Sequence, residues 1–422
     1  MTESLSIELF RDGEWARAAE LRSIGAPGSL QGSTHLVYDF DYVADHIGER
    51  GFAAVSVRHP VDLRLTRLKT WPGFVVDLLP QGESRRIVDG RNRAAGREPT
   101  DWNALRLGAG NPVGNLRVPR LEVEPGEVLG VRRAAVVEQG DEFHAWARER
   151  GMATTGGTDT GGAAPKLLLT EDRDGLLYTD GVLADSHAQR HWIVKFPRGR
   201  TRRDAQVLAN EAQYLEVARA LGLHCGTPLE YESGALFVPR FDREVMGGAV
   251  VRHGMESAYA ALGIVAPGSS LEFEDVVRGL AGCLDNPERD ICELVSRDAV
   301  AWALGDSDNH GRNTALLKQA DGSVALSPLF DFAPMFLDPG LVKRSTRWRS
   351  ERPGDPPEWS DVCGFVEALL PEAPIRMRLR KLGEALGGTV EQMRVFGVDE
   401  SVIERRAPSI LRVTAGLTKV EV

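Results

Sequence analysis

Residues 305–313 read Gly-Asp-Ser-Asp-Asn-His-Gly-Arg-Asn, and Asp308 precedes Asn313 by five positions. The stretch follows Pro287–Leu304, whose apolar spacing predicts a helix with Gly305 as its stop. Protein kinases carry an aspartate and an asparagine at this spacing in their catalytic loop. There the aspartate accepts the proton of the acceptor hydroxyl and the asparagine holds magnesium. A polar loop rich in Asp and Asn is common, so the spacing gains meaning only from its neighbours. Eighteen residues after Asn313, Asp331-Phe332-Ala333 ends the extended stretch 324–332, at the place of the D-F-G aspartate that chelates magnesium. Magnesium takes few protein carboxylates and fills its shell with phosphate and water, which suits Asn313 and Asp331.

Toward the N-terminus, Trp192–Phe196 (WIVKF) is an apolar strand with Lys195 inside it. On its own a mid-strand lysine faces solvent; in a kinase it reaches the α and β phosphates as a point charge. The following helix, Ala205–Leu221, keeps Leu208, Ala212, Leu215 and Ala218 on one stripe and carries Glu211, a residue able to hold such a lysine. Ahead of the strand, Gly151–Gly162 contains five glycines and four threonines. Its part 156–162, ending in Gly161 and Gly162, lets backbone N–H groups approach phosphate oxygens. It is not a Walker A loop, because Ala163 stands where the lysine belongs. Each feature alone is weak. The ordered set of phosphate loop, strand lysine, helix glutamate, catalytic Asp/Asn and magnesium Asp is much more specific.

The rest of the chain sets limits. It has 422 residues, 42% hydrophobic and 27% charged, a globular composition long enough for two or three domains. A net charge of −10 argues against a surface built as a whole for nucleic acid. No apolar run spans a bilayer and no secretory leader opens the chain, so a cytoplasmic protein without a membrane partner is expected. Cys225, Cys283, Cys292 and Cys363 form no C-x-x-C pair and read as reduced thiols, and no ligand spacing for zinc appears.

Residues 1–120 read as a β-rich domain, with strands at Ser4–Phe10 and His35–Phe40 and a turn at Arg11–Gly13. A short helix before Pro80 and a hairpin of Ala104–Leu107 with Val113–Val118 complete it. Residues 121–240 read as the nucleotide-binding part, with a linker over 122–140, a helix over 141–150 and strands at Lys166–Thr170 and Leu236–Phe241. Residues 241–422 read as a mainly helical catalytic lobe. The glycines of 108–114 have the wrong spacing for a dinucleotide fingerprint and read as a turn. The basic run Lys343–Arg349 reads as a solvated loop, and Met377–Leu386 as an amphipathic surface helix.

With these motifs in place the chain resembles the HipA-family serine/threonine kinases, toxins of bacterial type II toxin–antitoxin systems. The likeness rests on GGAAPKLLL (161–169), WIVKFP (192–197), NEAQYLEVARALGL (210–223), VPRFDR (238–243), GDSDNHGRN (305–313) and LSPLFDFAP (326–334). PGFVVDLLPQGESRR (72–86) and GNPVGNLRV (110–118) look like the family's smaller N-terminal domain. The resemblance spans nearly the whole chain. It implies an α+β, two-lobed protein-kinase-like fold with an N-terminal β-rich subdomain and a helical C-terminal lobe. It implies ATP and Mg2+, with adenine against Val238–Phe241. Gly161, Gly162, Lys195, Val238, Arg240, Phe241 and His310 would then serve the nucleotide, Asn313 and Asp331 the metal, and Asp308 catalysis.

It also implies a small helix-turn-helix antitoxin as partner, with DNA contacted mainly through it. The best-known substrate of the family is glutamyl-tRNA synthetase. One position departs: the family's glycine-rich loop carries an autophosphorylated serine, and Asp159 stands there, between Thr158 and Thr160. A non-catalytic kinase-fold scaffold for an antitoxin–DNA complex is the competing reading, and the intact Lys/Asp/Asn/Asp set stands against it.

Overall fold

The computed structural model describes residues 3–25, 28–119, 129–140, 143, 146–147, 166–266 and 268–422. The glycine-rich loop with Thr158, Asp159, Thr160, Gly161 and Gly162, and most of the helix expected over 141–150, lie outside the described residues. The chain forms two compact units. One comprises Met1–Arg198, Tyr231–Pro267 and Leu317–Val324; the other comprises Gly199–Glu230, Gly268–Leu316 and Ala325–Val422. Each gathers several segments, so their limits cut across the contiguous spans 1–120, 121–240 and 241–422.

The first unit holds a five-stranded sheet in the order 66–68, 34–38, 14–23, 4–11, 116–117. Alternation along Ser4–Arg11 buries Leu5, Ile7 and Leu9 on one face. Asp12 (φ 52°) and Gly13 (φ 87°) turn it into Glu14–Ser23 with the two positive φ angles that a type I′ hairpin requires.

Two expectations are corrected here. The third strand is Thr34–Tyr38, two residues short of Phe40, because the Asp39 carboxylate accepts the Asp41 N–H at 3.1 Å and caps the helix Phe40–His46. The hairpin over 104–118 does not form. Ala104–Leu107 lies in the helix Asp101–Gly108, capped by Thr100, while Leu116–Arg117 pairs with Glu8 and Leu9. The short helix before Pro80 is Val75–Leu78.

A six-stranded sheet in the same unit runs 230–232, 235–239, 188–195, 166–172, 176–179, 131–132. Part of the expected linker is therefore structured: Val131–Arg132 is its edge strand and the helix Arg133–Glu138 follows. Leu167, Leu169, Trp192, Val194 and Phe237 pack its core with Val136 and Phe196.

The second unit is mainly helical: Arg202–Ala220, Phe273–Ala281, Pro287–Leu304, Trp359–Leu369, Ile375–Leu386, Thr389–Val395 and Glu400–Thr418. Helix Pro287–Leu304 starts from Asn286, whose side chain accepts the Arg289 N–H at 3.1 Å, with Pro287 in the first turn. Leu379, Leu382 and Leu386 on one face of Ile375–Leu386 are buried, as its amphipathic pattern requires.

The basic run 343–349 is solvated only in part: Lys343, Arg347 and Arg349 are exposed, but the rest of the run is tied down. Arg344 is buried against Asp298 and Glu351, Trp348 donates its Nε1–H to Asp298 at 2.9 Å, and Thr346–Arg347 pairs with Leu271–Glu272. Burial opposes the Arg344 charge, but Asp298 and Glu351 outweigh it and hold its pKa above the ordinary value. All four cysteines are free thiols, Cys292 and Cys363 buried. Among the described residues no helix is long and apolar enough to cross a membrane.

Candidate active site

The residues singled out for chemistry fall into two groups, one in each unit. In the second unit, Pro287–Leu304 ends in Gly305, which takes φ 79° and donates its N–H to Ala301 O at 2.8 Å. That left-handed stop launches the loop 306–313. Arg406, from Glu400–Thr418, satisfies the last carbonyls of the helix, donating to Trp302 O at 3.0 Å and to Ala303 O at 3.1 and 3.2 Å. A Cβ on Gly305 would meet Arg406 Cζ and Phe336 Cδ1 at 2.8 Å. Gly305→Ala therefore combines left-handed strain with a clash against the capping arginine. We expect a loss of ~2 kcal/mol in denaturant unfolding; an unchanged midpoint would refute the tight packing around this stop.

Within the loop the side chains lock one another. Asn313 Nδ2 donates to Asp308 O at 2.7 Å, and the Asn313 N–H donates to His310 O at 2.9 Å. The loop is thereby closed between its two ends, leaving the Asn313 amide oxygen as that side chain's acceptor. His310 Nδ1 accepts the Arg312 N–H at 3.3 Å, and its Nε2 lies 3.6 Å from Asp308 Oδ1.

Asp306, which sequence reasoning passed over, is 8% exposed, and its Oδ1 accepts the Asp308 N–H at 3.1 Å. Burial, joined by the charges of Asp308 and Asp331, pushes its pKa well above the usual carboxylate range. Asp306, Asp308 and Asp331 thus share one region of negative potential. Asp331 has φ 54°, a left-handed conformation that aspartate tolerates better than most residues. This breaks the expected extended stretch 324–332, whose strand is only Val324–Leu326. Phe332 beside it is buried against Tyr214 (ring centroids 5.8 Å apart), and the Tyr214 hydroxyl donates to Leu304 O at 3.0 Å. One tyrosine therefore joins the helix of Glu211, the Asp331 segment and the end of the helix before the loop 306–313. That helix, Arg202–Ala220, begins at a capping box in which Thr201 and Asp204 satisfy each other's backbone N–H groups.

In the first unit, Lys195 ends the strand Ala188–Lys195 and is only 6% exposed, unlike a solvent-facing strand lysine. It stands directly across the ladder from Lys166, so the two side chains share a face of the sheet. Sequence reasoning placed Lys166 on a strand but gave it no role; only the register reveals the pairing. Val238 is half-buried on the other neighbouring strand, opposite Ile193, and Phe241 is half-buried past its end.

Arg240 requires a correction. Its guanidinium is fully buried, with Nε and Nη2 on Asp242 at 2.9 and 2.6 Å and Nη1 on Asp180. It is engaged in the framework rather than offered to a nucleotide. Asp242 also accepts the Gly114 N–H at 2.7 Å and pairs with Arg243, which donates to Gly114 O at 2.9 Å, and Asn111 donates to Asp180 at 3.1 Å. The stretches 110–118 and 238–243 are thus two sides of one buried ionic network.

Among the described residues no group of three or more His, Cys, Asp or Glu side chains is arranged to hold a metal ion by itself. The oxygen donors of Asn313 and Asp331, in the negative field around Asp306, have the hard chemistry and low ligand number that magnesium accepts together with phosphates.

A family profile described as the HipA-like C-terminal domain matches residues 158–387, more than half of the chain. Among solved structures the chain is similar to the HipA of Shewanella oneidensis MR-1, from a toxin–antitoxin complex of HipA, HipB and operator DNA. The TM-score is 0.70 and the identity 17%, over 99% of this chain and 100% of that one. At that identity the likeness speaks for the fold alone. A weaker similarity, to the Helicobacter pylori proinflammatory kinase CtkA, covers 62% of this chain and 94% of that one at 12% identity and a TM-score of 0.37. The matched profile and the fold together place the chain in the HipA family, with a kinase-like, two-lobed α+β fold.

Proposed function

We propose that the chain is a magnesium-dependent, ATP-using kinase that phosphorylates a serine or threonine hydroxyl of a protein. The observation that carries this is the closed loop 306–313, where Asn313 bridges back to the Asp308 carbonyl at 2.7 Å. The bridge fixes the catalytic aspartate and the metal-binding asparagine in one rigid turn beside Asp331. In this reading Asp308 orients the acceptor hydroxyl and takes its proton. Lys195 and Lys166, partners in the ladder on one face of the sheet, place positive charge on phosphate oxygens as point charges. Asn313 and Asp331 would hold magnesium, which neutralises charge on the phosphates when bound. His310, Val238 and Phe241 belong to the nucleotide's surroundings, and the glycine-rich sequence assigns Gly161 and Gly162 to the phosphates.

The Shewanella protein was solved with HipB and operator DNA. By that likeness we propose that this chain is the toxin of such a pair and works with a small DNA-binding antitoxin. An aminoacyl-tRNA synthetase such as glutamyl-tRNA synthetase is the first acceptor to try.

Calorimetry with ATP, with and without magnesium, tests the site. Asp331→Ala is expected to weaken ATP binding in magnesium by about tenfold or more and to leave metal-free binding almost unchanged, since it removes a charged metal ligand. Lys195→Ala is expected to weaken both by similar factors. If both variants bind ATP as tightly as the natural protein, the site as drawn is wrong.

A further inference from the structure

We propose that the turn Asp338–Val342 is the docking point for the protein acceptor, with Leu341 receiving an apolar side chain that flanks the reacting hydroxyl. This rests on the kinase reading above and adds the recognition that a bare catalytic loop lacks.

Leu341 carries two costs at once. Its φ is 51°, a region that L-residues with bulky side chains rarely enter, and its side chain is 73% exposed. Neither contributes to folding: an exposed leucine buries no apolar surface, and a glycine would fit the backbone better. The conformation is nevertheless imposed. The buried Asp338 accepts the Leu341 N–H on its carbonyl at 3.0 Å and the Gly340 N–H on its carboxylate at 2.6 Å. Strain persists where the surroundings over-determine it, and such places cluster at functional sites.

The turn is also tied to the catalytic loop. Ser307 and Asn309, the residues on either side of Asp308, both grip the segment that follows Leu341. Ser307 Oγ donates to Val342 O at 2.7 Å. Asn309 Nδ2 donates to Thr346 O at 2.6 Å, and its Oδ1 accepts the N–H groups of Ser345 at 3.0 Å and Thr346 at 3.3 Å. Arg344 and Trp348, both on Asp298, fix the far end. The Ser307–Val342 bond bounds the geometry. Asp308 adjoins Ser307 and Leu341 adjoins Val342, so the Cα atoms of Asp308 and Leu341 are no more than ~15 Å apart, one 3.8 Å step on each side of the bond. An extended peptide covers this in about four residues. An acceptor with its hydroxyl at Asp308 therefore places a side chain within four positions of it against Leu341.

The test uses the purified full chain, labelled ATP with magnesium, and a positional-scanning library of peptides with a fixed serine or threonine. The natural protein is expected to select a large apolar residue at one position within about four of the hydroxyl. For the best peptide, Leu341→Ala and Leu341→Gly should both raise KM about tenfold or more, the discrimination that a few methylene groups supply, with the KM for ATP unmoved. Leu341→Gly relieves the backbone strain, so an equal effect in both variants assigns the loss to the missing contact. Leu341→Glu should shift the preference at the same position toward lysine or arginine. Transfer without apolar selection, selection that survives all three variants, or ATP turnover without transfer to any peptide overturns the docking proposal alone. If the natural protein neither turns over ATP nor transfers phosphate, the kinase reading falls and this inference with it.

Discussion

Asp308→Asn is expected to lower phosphoryl transfer by about 10²–10⁴-fold, the usual contribution of a positioned general base, and to leave ATP affinity nearly unchanged. The substitution isolates the carboxylate. The two backbone bonds of Asp308 that hold the loop, its carbonyl to Asn313 Nδ2 and its N–H to Asp306 Oδ1, survive the change of side chain. Asparagine keeps the shape and cannot take the proton. It also removes a charge that helps to raise the pKa of Asp306. The pH dependence of any residual activity should therefore move toward lower pH where Asp306 ionisation shapes it. Single-turnover transfer to an acceptor, beside calorimetric ATP titration, separates chemistry from binding. Transfer at the natural rate in Asp308→Asn would show that the loop does not carry the catalytic base.

The fold was legible where one short-range rule governed it. The strand read at Ser4–Phe10 is Ser4–Arg11, the apolar run Trp192–Phe196 marks the end of Ala188–Lys195, and a stopping glycine predicts the end of 287–304 at Gly305. The misreadings have equally definite causes. The segment Asp101–Gly108 is too short for its apolar spacing to separate helix from strand, and the cap at Thr100 was the signal that decides it. Among the basic residues of 343–349 only Arg344 departs from a solvated reading, because the carboxylate that buries it lies 46 residues upstream, at Asp298. The resemblance alone gives Arg240 to the nucleotide, and the sequence does not show that one of its partners is Asp180, 60 residues away. Charge in a sequence shows no burial; only the tertiary partner does. The same limit hid Asp306, whose place in Gly-Asp-Ser-Asp-Asn was visible but whose 8% exposure was not, and Lys166, whose importance depends on strand register. The ordered motifs located the candidate site, while the ionic framework that holds one of its halves was invisible.

That framework gives the largest expected effect on stability. Arg240→Met should destabilise the chain by ~3–5 kcal/mol at neutral pH, because it leaves Asp180 and Asp242 buried as adjacent anions with their principal cation gone. Arg243 remains, but its direct ion pair is with Asp242 and it acts on Asp180 only through its charge, and burial together with the neighbouring Arg240 already brings it down to about 10. Arg240→Lys should recover little, since an ammonium cannot reproduce a fork that donates to two carboxylates at once.

The pH dependence fixes the sign. In the natural protein burial works to raise the pKa values of Asp180 and Asp242, but Arg240 and its neighbours outweigh it and hold both below the ordinary value. Their contribution is then complete above the unfolded pKa of ~3.9 and fades only as pH falls below it. Without Arg240 the two carboxylates lose their principal counter-charge, their pKa values rise, and protonation as the pH falls relieves the buried charge. The gap between natural protein and variant should therefore be widest near pH 7 and narrow toward pH 5, measured as unfolding midpoints at both. The triple change Asp180→Asn, Arg240→Met, Asp242→Asn should recover part of the loss by removing the uncompensated charge. A gap that is constant with pH, or a triple variant less stable than Arg240→Met alone, would mean that packing rather than charge compensation makes this network necessary.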